Sequence, residues 1–228
     1  MKVEIWSDFM CPFCYMGHNR IQKAIEDFGH QIEVVYRTFQ LFPGLKPQIG
    51  KNLYESIAEL KGANVEDIAR VHERLAEAGS SEGLEFNFDR VVPTDTFDAL
   101  RLSHLAKTKG MQKQFMEAVF KSYFTDALDI SDPLTLLQLA DSVGIDAQEA
   151  EQVLQSDAYA EDVQKDYQTG SDIGVKGVPF FVINNRYAIS GAHAPHVFVE
   201  ILEKARNEDI EDGAGHRCSD CTCGKKHG

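Results

Sequence analysis

The spacing of apolar residues changes period twice along this chain. Lys2 to Ser7 carries Val3, Ile5 and Trp6 and reads as a strand; Glu33, Val34, Val35, Tyr36, Arg37, Thr38 and Phe39 form a second, β-branched and aromatic one. Between them Cys11 to Phe28 is patterned as a helix, so the chain opens as a β-α-β unit. Helical periodicity then takes over, in Leu53 to Leu60, Asn64 to Ala78, Asp95 to Lys109, Gln112 to Phe124, Pro133 to Val143 and Ala147 to Leu154, with helical signals continuing to Asp172. Ser131 is the expected N-cap of the helix that begins at Pro133, and Gly110 and Gly144 are expected helix stops. Residues 174–179 break the pattern. Phe180 to Ile183 and Tyr187 to Ser190 read as a hairpin turning at Asn184 and Asn185, followed by a last helix from Pro195 to Arg206. Outer α/β elements thus bracket a long helical stretch, which predicts an α/β domain with a large helical insertion.

Charge narrows the partners. Of 228 residues, 23 are Lys or Arg and 36 are Asp or Glu, a formal charge of -13, which disfavours nucleic-acid backbone and anionic membrane as partners. No apolar run approaches the ~18 residues of a membrane span. Met1 to Glu4 leads into the first strand without a signal-peptide pattern, so the expected location is the cytoplasm. There a close pair of cysteines is more often transient and catalytic than a permanent staple.

Such a pair stands between the first strand and the first helix: Cys11, Pro12, Phe13, Cys14. The first N–H groups of a helix lack partners and carry the positive end of its dipole, which favours a thiolate at Cys11 and makes it the attacking sulfur. Cys14, one turn on, is the resolving partner, and Pro12 suits the first helical turn. The other reading of the pair is half of a structural zinc site, but a matching second pair is not nearby, since the next cysteine is Cys218. Gly177, Val178 and Pro179, just before a strand, are a second landmark. X-Pro is the common route to a cis peptide, although an ordinary trans proline entering an edge strand is the commoner case.

Taken together, residues 6–15 (Trp6, Ser7, Asp8, Phe9, Met10, Cys11, Pro12, Phe13, Cys14, Tyr15), residues 174–182 and the triplet Ser190, Gly191, Ala192 resemble the DsbA-family thioredoxin-like proteins of the FrnE-like subgroup, over about residues 3–205. The resemblance implies a thioredoxin-like domain from residues 1–50 and 173–207 and an inserted helical domain over 51–172; beyond it, residues 208–228, acidic and Gly-bearing and then Cys/His-rich, read as a flexible tail. The resemblance also implies thiol-disulfide oxidoreductase or isomerase activity at Cys11 and Cys14, a cis Val178-Pro179 bond beside Cys11, and substrate binding by Pro12, Phe13, Val178 and Pro179. Implied partners are protein or small-molecule thiols and disulfides, glutathione among them. The strongly oxidising periplasmic members carry His where this chain has Phe13, which offers the thiolate no polar hydrogen, so a less oxidising couple is expected here.

In the tail, His216, Cys218, Cys221, Cys223 and His227 can supply a zinc site of three Cys and one His, and Cys218 with Cys223 can equally act as a secondary redox pair; the dithiol itself needs no cofactor. Two other functions stand beside the oxidoreductase: a glutathione-dependent isomerase or transferase of a related thioredoxin-fold branch, which uses serine in place of the first cysteine, and a non-enzymatic metal- or client-binding module. His72 and His104 read as ordinary helical residues, His18 and His193 carry no assigned role, and Phe115, Phe120, Tyr123 and Phe124 are expected to pack the insertion, with lining of the cleft by some of them as the alternative. Asp8 is a candidate to tune Cys11 electrostatically, although loop carboxylates that are exposed do little.

Overall fold

A computed structural model describes residues 1–46 and 51–215. Its elements, in order, are β1 (Lys2–Ser7), α1 (Pro12–Phe28), β2 (Glu33–Thr38), α2 (Leu53–Lys61), α3 (Val65–Ser81), α4 (Phe97–Thr108), α5 (Gln112–Phe124), α6 (Pro133–Ser142), α7 (Ala147–Leu154), α8 (Ala160–Asp172), β3 (Phe180–Ile183), β4 (Tyr187–Ser190) and α9 (Pro195–Gly215). The strands form a mixed sheet in the order β2-β1-β3-β4, with β1 and β2 parallel and the other pairs antiparallel. This is the thioredoxin-like α/β architecture carrying a run of helices between β2 and β3.

Alternation along the central strand decides what covers each face. Val3 and Ile5 stand opposite Ile183 and Phe181, and this face is packed by α1 and by α9, whose Phe198 meets Phe181 edge to face at 4.7 Å. Glu4 and Trp6 point the other way, paired with Val182 and Phe180. There α8 covers them: the Trp6 indole N–H donates to the Asp166 carbonyl at 2.9 Å, and the Asp166 carboxylate takes Arg37 Nη1 at 2.8 Å while Arg37 Nε also donates to Glu4 at 2.9 Å. The buried Asp166 charge is thereby paired, as a low-dielectric site requires. Asn184 and Asn185, with φ of 49° and 53°, make the tight β3–β4 turn whose twist matches the strands.

The helices are stapled to the sheet by aromatic residues. Phe115, Phe120, Tyr123 and Phe124 of α5 are all essentially buried. Phe120 takes the ring of Phe9 at 5.3 Å and stacks on Tyr15 at 5.4 Å, joining α5 to the loop after β1 and to α1. One buried apolar cluster therefore runs from the sheet into the helices.

Three local features depart from the sequence reading. The cap of α6 is Asp132, whose carboxylate accepts the Thr135 N–H at 2.9 Å, whereas Ser131 bonds Asp129; Pro133 holds the first helical position, so the residue directly before it is the cap. Helix α9 runs to Gly215 rather than Arg206: its acidic stretch is held on the β3–β4 hairpin, where Tyr187 Oη donates to Glu208 and Asn184 Nδ2 to Asp209 at 2.6 Å. Asp8 is 1% exposed rather than a surface carboxylate. Gly110 and Gly144, by contrast, do follow helix ends with φ of 72° and 86°.

Candidate active site

The site lies where β1 ends. Cys11 is the N-cap of α1 with extended backbone, Pro12 takes the first helical position, and the Cys14 N–H already donates to the Cys11 carbonyl at 2.9 Å. Cys11 and Cys14 are both unbonded thiols and both buried, at 6% and 1% exposure, whereas Phe13 projects outward. Across from them runs the loop into β3, in which the Val178–Pro179 peptide bond is cis. The Cys11 thiol donates to the Val178 carbonyl at 3.3 Å.

That loop is held from two sides, by the end of β4 and by α1. The Gly191 N–H donates to the Pro179 carbonyl at 2.8 Å, tying it to the end of β4. Arg20 of α1 donates to the Ala192 carbonyl at 2.6 Å and grips Glu82, just past α3, through two guanidinium nitrogens. Helix α1 itself packs directly beneath, since a Cβ at Gly17 would stand 2.9 Å from Pro179 Cγ and 3.2 Å from the Phe181 ring. A glycine here is thus the condition for α1 and the loop to lie this close, and nothing in the residue's local sequence marks it.

The electrostatics separate the two sulfurs. The Cys11 pKa is lowered, first by hydrogen bonding to the neighbouring Cys14 thiol and then by the Cys14 and Phe13 N–H groups, against burial and the nearby Asp8 carboxyl, which raise it. Cys14 is pushed well above an ordinary thiol, first by burial and then by Cys11. The helix amides do contribute to the Cys11 thiolate, as the sequence predicts, and the partner sulfur joins them as the largest single cause. Asp8 sits just behind the pair: its carboxylate accepts the Leu41 N–H at 2.7 Å and the Met10 N–H at 3.4 Å, together with Phe9 N–H and the Thr96 side chain. Burial nevertheless raises its pKa.

A narrow apolar pocket opens beside Cys11, bounded by Met10, Pro12 and Phe13 on the dithiol side and by Leu41, Phe42, Leu53, Ile57, Phe88 and Phe124 opposite, with Lys61 and His72 as its polar members. The fold therefore brings together Cys11, Pro12, Phe13, Cys14, Val178 and Pro179 of the residues expected from sequence. His216, Cys218, Cys221, Cys223 and His227 lie outside the described residues. Among the described residues, no group of three or more His, Cys, Asp or Glu side chains is arranged to hold a metal ion. His18, unassigned in the sequence, is buried with Nδ1 2.9 Å from Tyr36 Oη, and so binds α1 to β2 rather than facing the sulfurs.

Comparison with known proteins matches residues 2–203 to the model of the DSBA-like thioredoxin domain. A structure described as a probable DsbA oxidoreductase from Streptomyces coelicolor is 35% identical, with 91% of each chain covered and a TM-score of 0.85. YwbO of Bacillus subtilis, itself uncharacterized, is 29% identical over 205 residues, 89% of this chain and 96% of its own. The cytosolic disulfide reductase DsbM of Pseudomonas aeruginosa, solved with GSH, shares the fold at 14% identity and a TM-score of 0.63, over 94% of this chain and all of that one.

Proposed function

Because the chain belongs to the family of DSBA-like thioredoxin domains, a family of thiol-disulfide oxidoreductases, we propose that it exchanges disulfides with Cys11 attacking and Cys14 resolving. The observation that carries this reading is the contrast between two adjacent sulfurs, one with its pKa lowered and facing the Val178 carbonyl, the other with its pKa raised and sealed behind it.

In the reducing direction, the Cys11 thiolate attacks one sulfur of the substrate disulfide; that S–S bond breaks and the leaving half departs as a thiolate that takes a proton. Cys14 then loses its proton and attacks Cys11, releasing the second half as a thiol and leaving the Cys11–Cys14 disulfide, so two electrons and two protons pass to substrate. A low-molecular-weight thiol restores the dithiol by the reverse exchange; the GSH-bound DsbM neighbour supports glutathione in that role. Ionisation of Cys11 replaces its hydrogen bond to Val178 with repulsion between sulfur and carbonyl oxygen, which frees the Val178 main chain to pair with an extended substrate backbone. Phe13 and Pro12 border the opening on the other side. We place this chemistry in the cytoplasm, where reductant is abundant; among the described residues no helix is long and apolar enough to cross a membrane.

The test is substrate capture. Cys14→Ala should accumulate mixed disulfides through Cys11, and Cys11→Ala should lose exchange altogether. Retained disulfide-reducing activity in Cys11→Ala would refute the assignment.

A further inference from the structure

Three segments that frame the cleft meet on one side chain that takes no part in the sulfur chemistry. Arg20 stands on α1 one turn beyond Gly17, so the helix face that lies under Pro179 carries the guanidinium next. Its Nη1 donates to the Ala192 carbonyl at 2.6 Å, while Nε and Nη2 hold Glu82 Oε1 at 2.9 and 2.5 Å. Both side chains are mostly buried, at 17% and 20% exposure, and a two-pronged grip of this kind fixes orientation as well as distance. Neither anchor is loose. Glu82 caps α3, its own N–H donating to the Gly79 carbonyl at 2.9 Å, and Gly79 lies so close to Phe86 that a Cβ there would stand 2.6 Å from the ring. Ala192 directly follows Gly191, whose N–H donates to the Pro179 carbonyl at 2.8 Å.

From Arg20 a continuous series of contacts leads to the attacking sulfur. Ala192 adjoins Gly191, Gly191 bonds Pro179, Pro179 follows Val178, and the Val178 carbonyl accepts the Cys11 thiol at 3.3 Å. Strand β4 ends at Ser190, and Gly191, at φ of 94°, turns the chain out of the ladder. Past that point the segment is held by the bonds of His193 to Ser190 and Gly191 and by the reach of Arg20. Resting on the oxidoreductase reading above, we infer that Arg20 is a positioning residue for polypeptide substrates. It fixes the main chain at Val178 and Pro179 where an extended backbone pairs beside Cys11, and through Glu82 it ties that placement to the seating of the helical insertion. A disulfide on an extended peptide therefore depends on the clasp, whereas one too small to reach Val178 depends on the sulfur alone.

The experiment uses the full chain, reduced and freed of reductant, with two mixed disulfides that share 2-nitro-5-thiobenzoate as leaving group: one on the central cysteine of an extended Val/Thr peptide, the other on N-acetylcysteine methylamide. The Cys11 thiolate attacks the cysteine sulfur of the probe, and nitrothiobenzoate, the more acidic thiol, leaves as its thiolate. Cys14 then displaces the probe cysteine, which departs as a thiol with the Cys14 proton, so the protein dithiol is oxidised as the probe disulfide is reduced. The readout is nitrothiobenzoate release against probe concentration, by stopped-flow absorbance. The natural protein should favour the peptide probe. In Arg20→Met, which keeps the stem and removes the guanidinium, the ratio of peptide to small-probe rate constants should fall about fivefold, the order of one lost hydrogen bond. The fall should lie in the peptide's half-saturating concentration rather than in its rate at saturation. Glu82→Gln, which spares the Ala192 bond and weakens the hold on the insertion, should lower the ratio about twofold, and it alone decides the matter should Arg20→Met fail to fold. A ratio unmoved in the variants, equal losses on both probes as a merely structural role would give, or a natural protein that takes both probes equally would overturn the inference while leaving the oxidoreductase reading intact. Release from neither probe by the natural protein would instead overturn that reading, and the inference with it.

Discussion

The two walls of the active cleft are built to opposite rules. On the wall made by β1, α1 and the loop into β3, the polar groups are held: Cys11 bonds Val178, Gly191 bonds Pro179, and Asp8 gathers Leu41, Met10, Phe9 and Thr96. On the wall made by α2 and α3, the surfaces are apolar and the buried imidazole of His72 is left unmatched. The first wall sets the state of the sulfurs; the second is an apolar surface with one buried, unpaired imidazole nitrogen. The electrostatics of the sulfurs and the apolar covering beside them are thereby carried by different segments.

The largest effect should come from breaking the first wall at Asp8. Asp8→Ala leaves several buried donors without an acceptor, each costing about 1–3 kcal/mol, so denaturant titration should show a loss of about 3 kcal/mol or more. Asp8 also gives the wall a pH dependence. Its pKa is raised in the folded state, so the native protein holds this proton more tightly than the unfolded chain does. This group's contribution therefore falls as pH rises from the ordinary carboxylate value through the raised one, and Asp8→Asn should flatten that part of the stability profile.

Next comes the fit of α1 under the loop. Gly17→Ala places a Cβ 2.9 Å from Pro179 Cγ and should cost about 1–3 kcal/mol, read as a lowered Tm, with slower exchange as the loop moves away from Cys11. The redox couple sharpens the same comparison, because Phe13 projects outward and leaves the Cys11 thiolate to backbone N–H groups and the Cys14 thiol. Equilibration with glutathione should give a potential well below the about -120 mV of the strongest oxidants of this fold. The smallest effect belongs to the second wall: His72→Phe removes a buried unmatched nitrogen and should raise stability by about 1 kcal/mol, whereas a loss would mean that Nδ1 already has a partner.

This division also marks what the sequence could reveal. Strand periodicity placed β1, β3 and β4 residue for residue, and the Cys11–Cys14 pair announced itself because strand end, dithiol, proline and helix are contiguous. That Asp8 acts on Cys11 was legible from its nearness in sequence, but its burial was not, because its partners Leu41 and Thr96 come from distant parts of the chain. The Asp132 cap was legible in principle, since Pro133 fixes the first helical position. His72 could not be distinguished: a histidine at a core position of a helix looks the same in sequence whether its ring nitrogen is paired or open. The sequence likewise credited the helix amides with a thiolate whose largest single support is the Cys14 thiol, a side-chain contact that spacing permits but does not rank.

The most direct test is the pH dependence of alkylation at Cys11 in the reduced protein, followed by mass spectrometry of the peptide that carries it. The midpoint should lie below the ordinary thiol value of about 8.5, with Cys14 unreactive over the same range and the Cys11 midpoint moving upward in Cys14→Ala. A Cys11 midpoint at or above that of free cysteine, or alkylation of Cys14 ahead of Cys11, would contradict this expectation.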